Sequence, residues 1–340
     1  MLNAILCVWN EEDIIGACVA NAFAHGCDRV FILDNASTDR TVQRAIRAGA
    51  VYHATFATDE FDEIQKTVYI NKCVAGITEQ LPDETTWWLY LDADEFPDCN
   101  TGKTIRETLA ALPPDVRAFG SDVCNHLPTH PPYLLPGFHP ADFMPVGTLE
   151  AGPESYKFTL LRHDKDKSPI YSRTGAHTYA SESPVREAEE RIIIHHFNYR
   201  QPDATRARMA ALILPDARGK RRVAWYDRLS RTDGLERSPY HDRFERLDQF
   251  YADNRLGNLK TDTLPYAYPE LVRWYDPRDI DLGNTPLSDA DRFIWEATRA
   301  FFLGNRPLAL ARYEDALRAS EDFEVRRLLT ERIERCKAAR

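Results

Sequence analysis

The sequence predicts an α/β fold: a Rossmann-like, mostly parallel sheet with flanking helices, followed by a C-terminal α-helical region. Three observations lead there. The first third alternates short apolar runs with helix-period patterns, the signature of β-α-β units. The apolar runs are too continuous to be half exposed, as befits strands covered on both faces. The last fifty residues instead repeat apolar side chains at helical spacing.

In chain order, Ala4–Trp9 reads as the first strand. Ile14, Ile15, Cys18, Val19 and Ala22 then mark a helix closed by Gly26, a residue suited to the position after a helix end. Arg29–Leu33 is a second strand, running into the loop Asp34-Asn35-Ala36-Ser37-Thr38-Asp39. There Ser37 or Thr38 can cap a helix that carries Val42, Ala45 and Ile46 and ends near Gly49. Ile64, Val68 and Ala75 mark another helix and Trp87–Leu91 another strand. Thr101 is placed to cap a helix (Ile105, Leu109, Leu112) closed by Pro113-Pro114, and Ala118–Val123 follows as a strand. The segment 126–152 is rich in Pro, Gly and His without periodicity, which marks a functional loop or lid. Lys157–Arg162 and Arg191–His196 are further strand candidates, and from about Pro202 the chain turns helical and Arg-rich. Near the C-terminus, Ala309, Tyr313 and Ala316 take the spacing of the second helix of a tetratricopeptide unit, in a single copy. A helical hairpin packing on the main domain is the better reading of that segment.

The 340 residues carry a net charge of −10, unevenly placed. Residues 1–100 hold 17 acidic and 6 basic side chains, whereas the remainder holds 36 and 37. That distribution argues against nucleic-acid binding, which needs a basic stripe to release counterions. An anionic ligand then calls for a metal as mediator. The seven cysteines (Cys7, Cys18, Cys27, Cys73, Cys99, Cys124, Cys336) are odd in number and form no C-x-x-C pair, as expected of reduced core thiols in a cytoplasmic protein. The first apolar run lacks the basic flank and length of a signal peptide, and no window reaches the roughly 18 apolar residues of a membrane span. Any action on a membrane-bound acceptor is therefore expected to be peripheral, at the inner face.

The sharpest feature is Trp87-Trp88-Leu89-Tyr90-Leu91-Asp92-Ala93-Asp94-Glu95-Phe96. Asp92 and Asp94 stand two apart at the C-terminal end of a buried strand, where open α/β sheets bind ligands, so both can project toward one ion. Three acids within four positions repel one another unless a cation or solvent intervenes. All-oxygen ligands suit Mg²⁺ or Mn²⁺. A solvated turn is the plain alternative, but Phe96 and Pro97 resume apolar character at once.

With this block, the chain resembles a family 2-type glycosyltransferase of the GT-A fold, and within that group the bacterial branch related to family 92. The likeness rests on Trp9-Asn10-Glu11-Glu12, on Ile32-Leu33-Asp34-Asn35-Ala36-Ser37-Thr38-Asp39-Arg40-Thr41 and on Leu91-Asp92-Ala93-Asp94-Glu95-Phe96, in that order. A weaker fourth part runs from Tyr156-Lys157-Phe158 through Arg162 and Gly175-Ala176-His177 to Ile194-His195-His196-Phe197-Asn198-Tyr199-Arg200. The resemblance implies a nucleotide-sugar donor, UDP-linked for preference, across the strand ends. Asn10, Glu11 and Asp39 would lie on the donor side and Asp34 would bind the base. Asp94 would hold Mn²⁺ or Mg²⁺, with Asp92 orienting the ribose or sharing the metal shell. His196 would complete that shell, with His177 as the alternative; in a strand, His195 faces the other way. Lys157, Arg162 and Arg200 are candidates to meet phosphate or a carboxylated sugar. An inverting transfer needs a carboxylate base. Chain order nominates Glu154, with Asp164 and Glu182 as alternatives. The cluster Asp59-Glu60-Phe61-Asp62-Glu63 reads as a solvated loop and helix start, from which Gln65 or Lys66 could reach the donor.

On this reading residues 1–200 form the donor-binding and catalytic domain. Residues 201–287 form a helical extension on the acceptor side, and 288–340 a helical hairpin open to oligomer or protein contacts. The expected acceptor is a glycan, a lipid-linked molecule or a small molecule. Other classes fit less well. A phosphohydrolase of the haloacid dehalogenase type wants Asp-x-Asp-x-Thr, and Phe96 stands where that Thr would be. A nucleotidyltransferase wants a basic, Gly-rich loop where this chain has Asn10-Glu11-Glu12-Asp13. A non-catalytic interaction protein would be built around the C-terminal helices.

Overall fold

The computed structural model of this chain describes residues 1–58, 60, 62–81, 85–99, 101–128, 140, 144, 146–150, 156–164, 168–172, 176–215, 221–232, 234–253, 266–267 and parts of 289–337, continuously over 305–321. The nominated base Glu154 and most of the segment 126–152 lie outside the described residues, as do Asp59, Phe61 and most of 254–288.

The N-terminal half forms the expected alternation: β1 (Leu2–Val8), α1 (Ile15–Ala24), β2 (Arg29–Asp34), α2 (Thr41–Arg47), β3 (Val51–Thr55), α3 (Glu63–Gln80) and β4 (Thr85–Leu91). These four strands are parallel in the order β3-β2-β1-β4. Every residue of β1 is buried, because each face of the sheet carries its own helical layer. Alternate residues divide accordingly. Leu6, Ile32, Leu89 and Leu91 pack with Ile15, Cys18 and Val19 of α1. Ile5, Phe31, Leu33, Trp88 and Tyr90 pack with Ile70, Val74 and Ile77 of α3. The two-residue period of strands thus builds two cores from one run of apolar sequence.

The sheet continues through β5 (Glu95–Asp98), α4 (Ile105–Ala110), β6 (Val116–His126), β7 (Val146–Glu150) and β8 (Lys157–Asp164). Strand β8 runs antiparallel between β4 and β6. A small pair, β9 (Ile170–Tyr171) and β10 (Tyr179–Ala180), precedes β11 (Arg186–Glu187) and β12 (Ile192–His196). Strand β12 lies parallel to β6 and antiparallel to β5. The α/β layout expected of the sequence, a mostly parallel sheet with flanking helices, is therefore present, parallel through the first four strands and mixed beyond them. Helices α5 (Pro202–Ile213), α6 (Ala224–Thr232), α7 (Pro239–Glu245) and α8 (Leu247–Asp253) follow, then β13 (Tyr266–Ala267), paired with β7, and α9 (Arg306–Ala319). Ala309, Tyr313 and Ala316 of α9 pack with Ala297, Ala300, Leu329 and Ile333 in a separate apolar cluster.

Local chemistry departs from the sequence reading in three places. Helix α2 starts at Arg40 without a side-chain cap, because Ser37 and Thr38 bond instead to Asn10. Helix α4 is capped by Thr104, not Thr101, in a reciprocal box with Glu107. Strands β3 and β5, the short β9, β10, β11 and β13, and β7 were not anticipated: Val51, Tyr52 and His53 are exposed on an edge, β5 contains Pro97, and β7 pairs with β6 inside the segment 126–152 that reads as an irregular loop. Gly26, with φ +91°, closes α1 as expected; a Cβ there would meet the Arg106 Cβ at 2.7 Å.

Trp88 is fully buried, and its Nε1–H donates to Thr78 Oγ1 at 2.9 Å across the α3 layer. Trp88→Ala is expected to cost about 3–5 kcal/mol in urea unfolding.

Candidate active site

The C-terminal ends of β1, β2 and β4 meet where the sheet changes direction: from β1 the chain steps to β2 on one side, and β4 lies on the other. Such a switch point opens a crevice at the strand ends. Here the crevice is a cleft of ≈ 300 Å³ whose walls include Val8, Trp9, Glu11, Asn35, Glu63, Lys66, Asp92, Asp94, Glu95, Lys157, His196, Arg208, Tyr240 and Arg243.

Register explains how distant residues arrive. Strand β5 pairs His196 of β12 with Glu95, and the Phe197 amide donates to the Asp94 carbonyl at 2.9 Å. That pairing places His196 Nε2 3.6 Å from Asp94 Oδ1, while His196 Nδ1 lies 2.9 Å from Asn125 Oδ1. The other Asp94 oxygen faces Arg208 at 3.5 Å and Arg200 at 3.8 Å. Burial alone would raise the Asp94 carboxyl; His196, with Arg200 and Lys157, outweighs it and holds the group well below the usual carboxylate range. For His196 the balance is the mirror image. Burial would lower its pKa, but Asp94 raises it above the ordinary imidazole value.

Asp92 does not join this pair. Its Oδ1 accepts from Lys66 Nζ at 2.6 Å and from the Tyr90 hydroxyl at 2.9 Å, and Lys157 Nζ stands 4.0 Å from its Oδ2. The strand end thus sends one aspartate to a lysine and the other to a histidine. Against its burial, Lys66 and Lys157 hold the Asp92 carboxyl down. Lys66 also faces Glu63 at 3.4 Å, and Lys157 is paired with the fully buried Glu95. Both lysines are held above the ordinary amine value by these carboxylates, despite desolvation.

Arg200 joins the strand ends to the helices that follow. Only 2% exposed, it pairs with Glu11 at 2.6 Å and with Asp13. Its amide donates to Thr205 Oγ1 at 2.9 Å and its carbonyl accepts from the Tyr251 hydroxyl at 2.6 Å. Glu11 also meets Arg208 at 3.2 Å. Burial pushes the Glu11 carboxyl well above its usual range, opposed by Arg200 and reinforced by Asp94 and Asp13. The helical side is tied down further by Arg222 over the Trp9 ring at 3.9 Å, by Arg228 on Glu60 and by the Tyr226 hydroxyl on Glu63 at 3.3 Å.

Glu11, Lys66, Asp92, Asp94, Lys157 and His196 therefore share one cleft, whereas Asn10, Asp34, Asp39, Arg162, His177 and Arg200 do not line it. Both oxygens of Asp34 accept the Ser37 amide, at 3.1 and 3.2 Å. Asn10, at φ +53°, accepts the Thr38 amide at 2.8 Å, and Asp39 accepts the Thr41 amide at 2.9 Å. Arg162 pairs with Trp87 near the start of β4, so the antiparallel run of β8 carries it away from the strand ends where Lys157 sits; it bonds to the Pro114 carbonyl instead. His177 Nδ1 lies 2.9 Å from the Tyr156 carbonyl. Asp164 meets Arg117 at 3.1 Å and Thr85, and Glu182 is exposed. Glu63, expected to be solvated, is buried in the cleft wall. Tyr240 and Arg243 of α7 were not anticipated, because no motif precedes them.

Asp94 and His196 fit a small divalent ion. Their 3.6 Å separation lies within what two ligands of one ion span, since bonds of about 2.1 Å place opposite ligands about 4.2 Å apart. A carboxylate oxygen with an imidazole nitrogen suits Mn²⁺ as well as Mg²⁺.

No protein-family model matches the chain, and no curated protein matches it. Among solved structures, it is similar to glucosyl-3-phosphoglycerate synthase from Mycobacterium tuberculosis. In complex with Mn²⁺, UDP and glucosyl-3-phosphoglycerate, that enzyme is 14% identical over 52% of this chain and 62% of its own, with a TM-score of 0.27. With Mg²⁺ and UDP the figures are 15%, 37% and 43%, at 0.23. The matched part is under two thirds of those chains, and a likeness at this level decides neither fold nor activity.

Removing the Arg200 guanidinium strands the buried Asp94 and the part-buried Glu11 and Asp13. Arg200→Ala is expected to destabilise by about 3–5 kcal/mol in chemical denaturation, and Arg200→Lys by less. The Asp94–His196 pair sets a pH window. The His196 share of stability is present below its ordinary value of about 6.5 and is lost as pH rises through the higher folded value. The Asp94 share is present above about 4 and is lost as pH falls through the lower folded value. In metal-free protein, NMR titration should place the His196 pKa above about 6.5, and Asp94→Asn should lower it.

Proposed function

We propose that this chain is a metal-dependent glycosyltransferase, moving a sugar from a nucleoside-diphosphate sugar, UDP-linked for preference, to an acceptor hydroxyl. One observation carries the reading: the Asp94–His196 pair stands at the sheet's switch point, in a cleft whose walls also hold the buried lysines Lys66 and Lys157. Its volume of ≈ 300 Å³ lies at the lower end of the range for small-molecule sites.

Asp94 and His196 would hold Mn²⁺ or Mg²⁺, which supplies positive charge against the leaving diphosphate. Lys66 and Lys157, kept protonated by Asp92 and Glu95, add fixed positive charge on the same wall. The base of the donor fits against Val8, Trp9, Asn35 and Phe56, which line the β1–β2 side of the cleft next to Asp34. The acceptor enters from the side of α5 and α7, where Arg208, Tyr240 and Arg243 face the cleft. Direct displacement with inversion needs a carboxylate base, for which chain order still nominates Glu154. On this reading residues 1–200 carry donor binding and catalysis, 201–287 the acceptor side and 288–340 an assembly surface. Among the described residues no helix is long and apolar enough to cross a membrane.

Isothermal titration with UDP and UDP-sugars, with and without Mn²⁺, tests the proposal. Binding is expected to require the metal and to weaken at least about 10-fold in Asp94→Asn and in His196→Ala, each worth about 1.4 kcal/mol or more. Absence of metal-dependent binding to any nucleoside-diphosphate sugar would sink it.

A further inference from the structure

Behind the cleft, on the opposite face of β12 from His196, lies a second group of metal-ligating side chains. Cys124 and His126 stand two apart on β6 and so share a face, and His195 pairs directly with Cys124 in the parallel register of β6 and β12. All three are at most 1% exposed. The Cys124 sulfur and one ring nitrogen from each histidine lie within 4.8 Å of one another. We propose that these residues form a zinc site of three protein ligands, with water as the fourth, separate from the cleft and independent of the transferase reading.

Three features support it. First, the donor set is one sulfur and two imidazole nitrogens, which selects a soft or borderline ion such as Zn²⁺ over Mg²⁺ or Mn²⁺. Second, His126 is oriented as a ligand: its Nδ1–H donates to the Met144 carbonyl at 2.5 Å, which leaves the Nε2 lone pair facing inward. A backbone carbonyl on the far nitrogen is the usual partner of a metal-bound imidazole. Third, the sulfur has its place only because residue 147 is glycine, since a Cβ there would fall 2.5 Å from Cys124 Sγ.

Proton accounting closes. Without metal, His195 Nδ1–H donates to His126 Nε2 at 2.8 Å. When zinc binds, the His195 proton moves from Nδ1 to Nε2, both imidazoles stay neutral, and the Cys124 thiol loses its proton to solvent. One S–H bond is broken, one Zn–S and two Zn–N bonds replace Zn–O bonds of the hydrated ion, a single water stays as the fourth ligand, and one proton is released per ion. Bonds of about 2.0–2.3 Å put ligand atoms about 3.3–3.8 Å apart, so the two rings need part by only about 0.5 Å. A bound ion would fix β6 against β12 one residue from His196.

Cobalt titration of the EDTA-treated full chain tests this. One Co²⁺ per chain should produce thiolate-to-cobalt charge-transfer absorption that Zn²⁺ displaces. The band should persist in Asp94→Asn, which disables the cleft pair, and vanish in Cys124→Ser. His126→Gln should weaken Zn²⁺ binding at least about 10-fold, with circular dichroism confirming the fold of both variants. Wild-type protein without the band overturns the proposal, as does a band that survives Cys124→Ser. If the variants fail to fold, the wild-type spectrum and stoichiometry alone decide.

Discussion

The structure turns on one buried guanidinium. Arg200 brings Glu11, Asp13 and Asp94 into a single junction, from the loops after β1 and β4. Without a positive charge there, three carboxylates, Asp94 buried and Glu11 and Asp13 part-buried, would oppose the convergence of the strand ends that creates the cleft. The same residue starts the path into α5, and Thr205 and Tyr251 grip its backbone. Strand-end geometry and helical cap are therefore set together: α5 cannot leave without uncovering acids that the sheet cannot hold alone.

How much of this was legible depends on how local each cause is. Strands β1, β2 and β4 and helices α1 and α3 could be read because two apolar layers leave a continuous hydrophobic imprint on the sequence. Strand β3 left none, since Val51, Tyr52 and His53 face solvent on an edge. The aspartates at the end of β4 were equally plain, but their partners were not, because those depend on register. Lys157 and Arg162 looked interchangeable as phosphate ligands; antiparallel pairing with β4 puts the first in the cleft and carries the second toward the other end of the sheet. Lys66 was read as a possible donor contact, but nothing in its surroundings announced that it would hold Asp92. Tyr240 and Arg243 carry no signal at all, being placed by the packing of α7 against α5 rather than by any motif.

The charge distribution changes meaning in three dimensions. The acidic surplus of residues 1–100 suggests a well that demands a cation. In the folded chain Lys157, Arg200 and Arg208, all from later sequence, are set against Glu95, Glu11 and Asp94, while Lys66 serves Asp92. The cleft is thus a mosaic of matched pairs. Such a surface can receive a metal and a phosphate in the same place, because each added charge finds an opposite one already fixed nearby.

The loops after β1 and β2 have a different import. The Asn10 amide donates to Ser37 Oγ, Glu11 to Thr41 Oγ1 and Glu12 to Asp39 Oδ2, while Arg40 and Arg44 return bonds to the Glu12 carboxylate and carbonyl. Each loop thus satisfies the polar groups of the other, like the two halves of a zip fastener. Loop grafting must respect this: residues 10–12 and 37–41 form one transferable cassette, and a chimera that imports only one half would strand donors and acceptors on both sides of the seam.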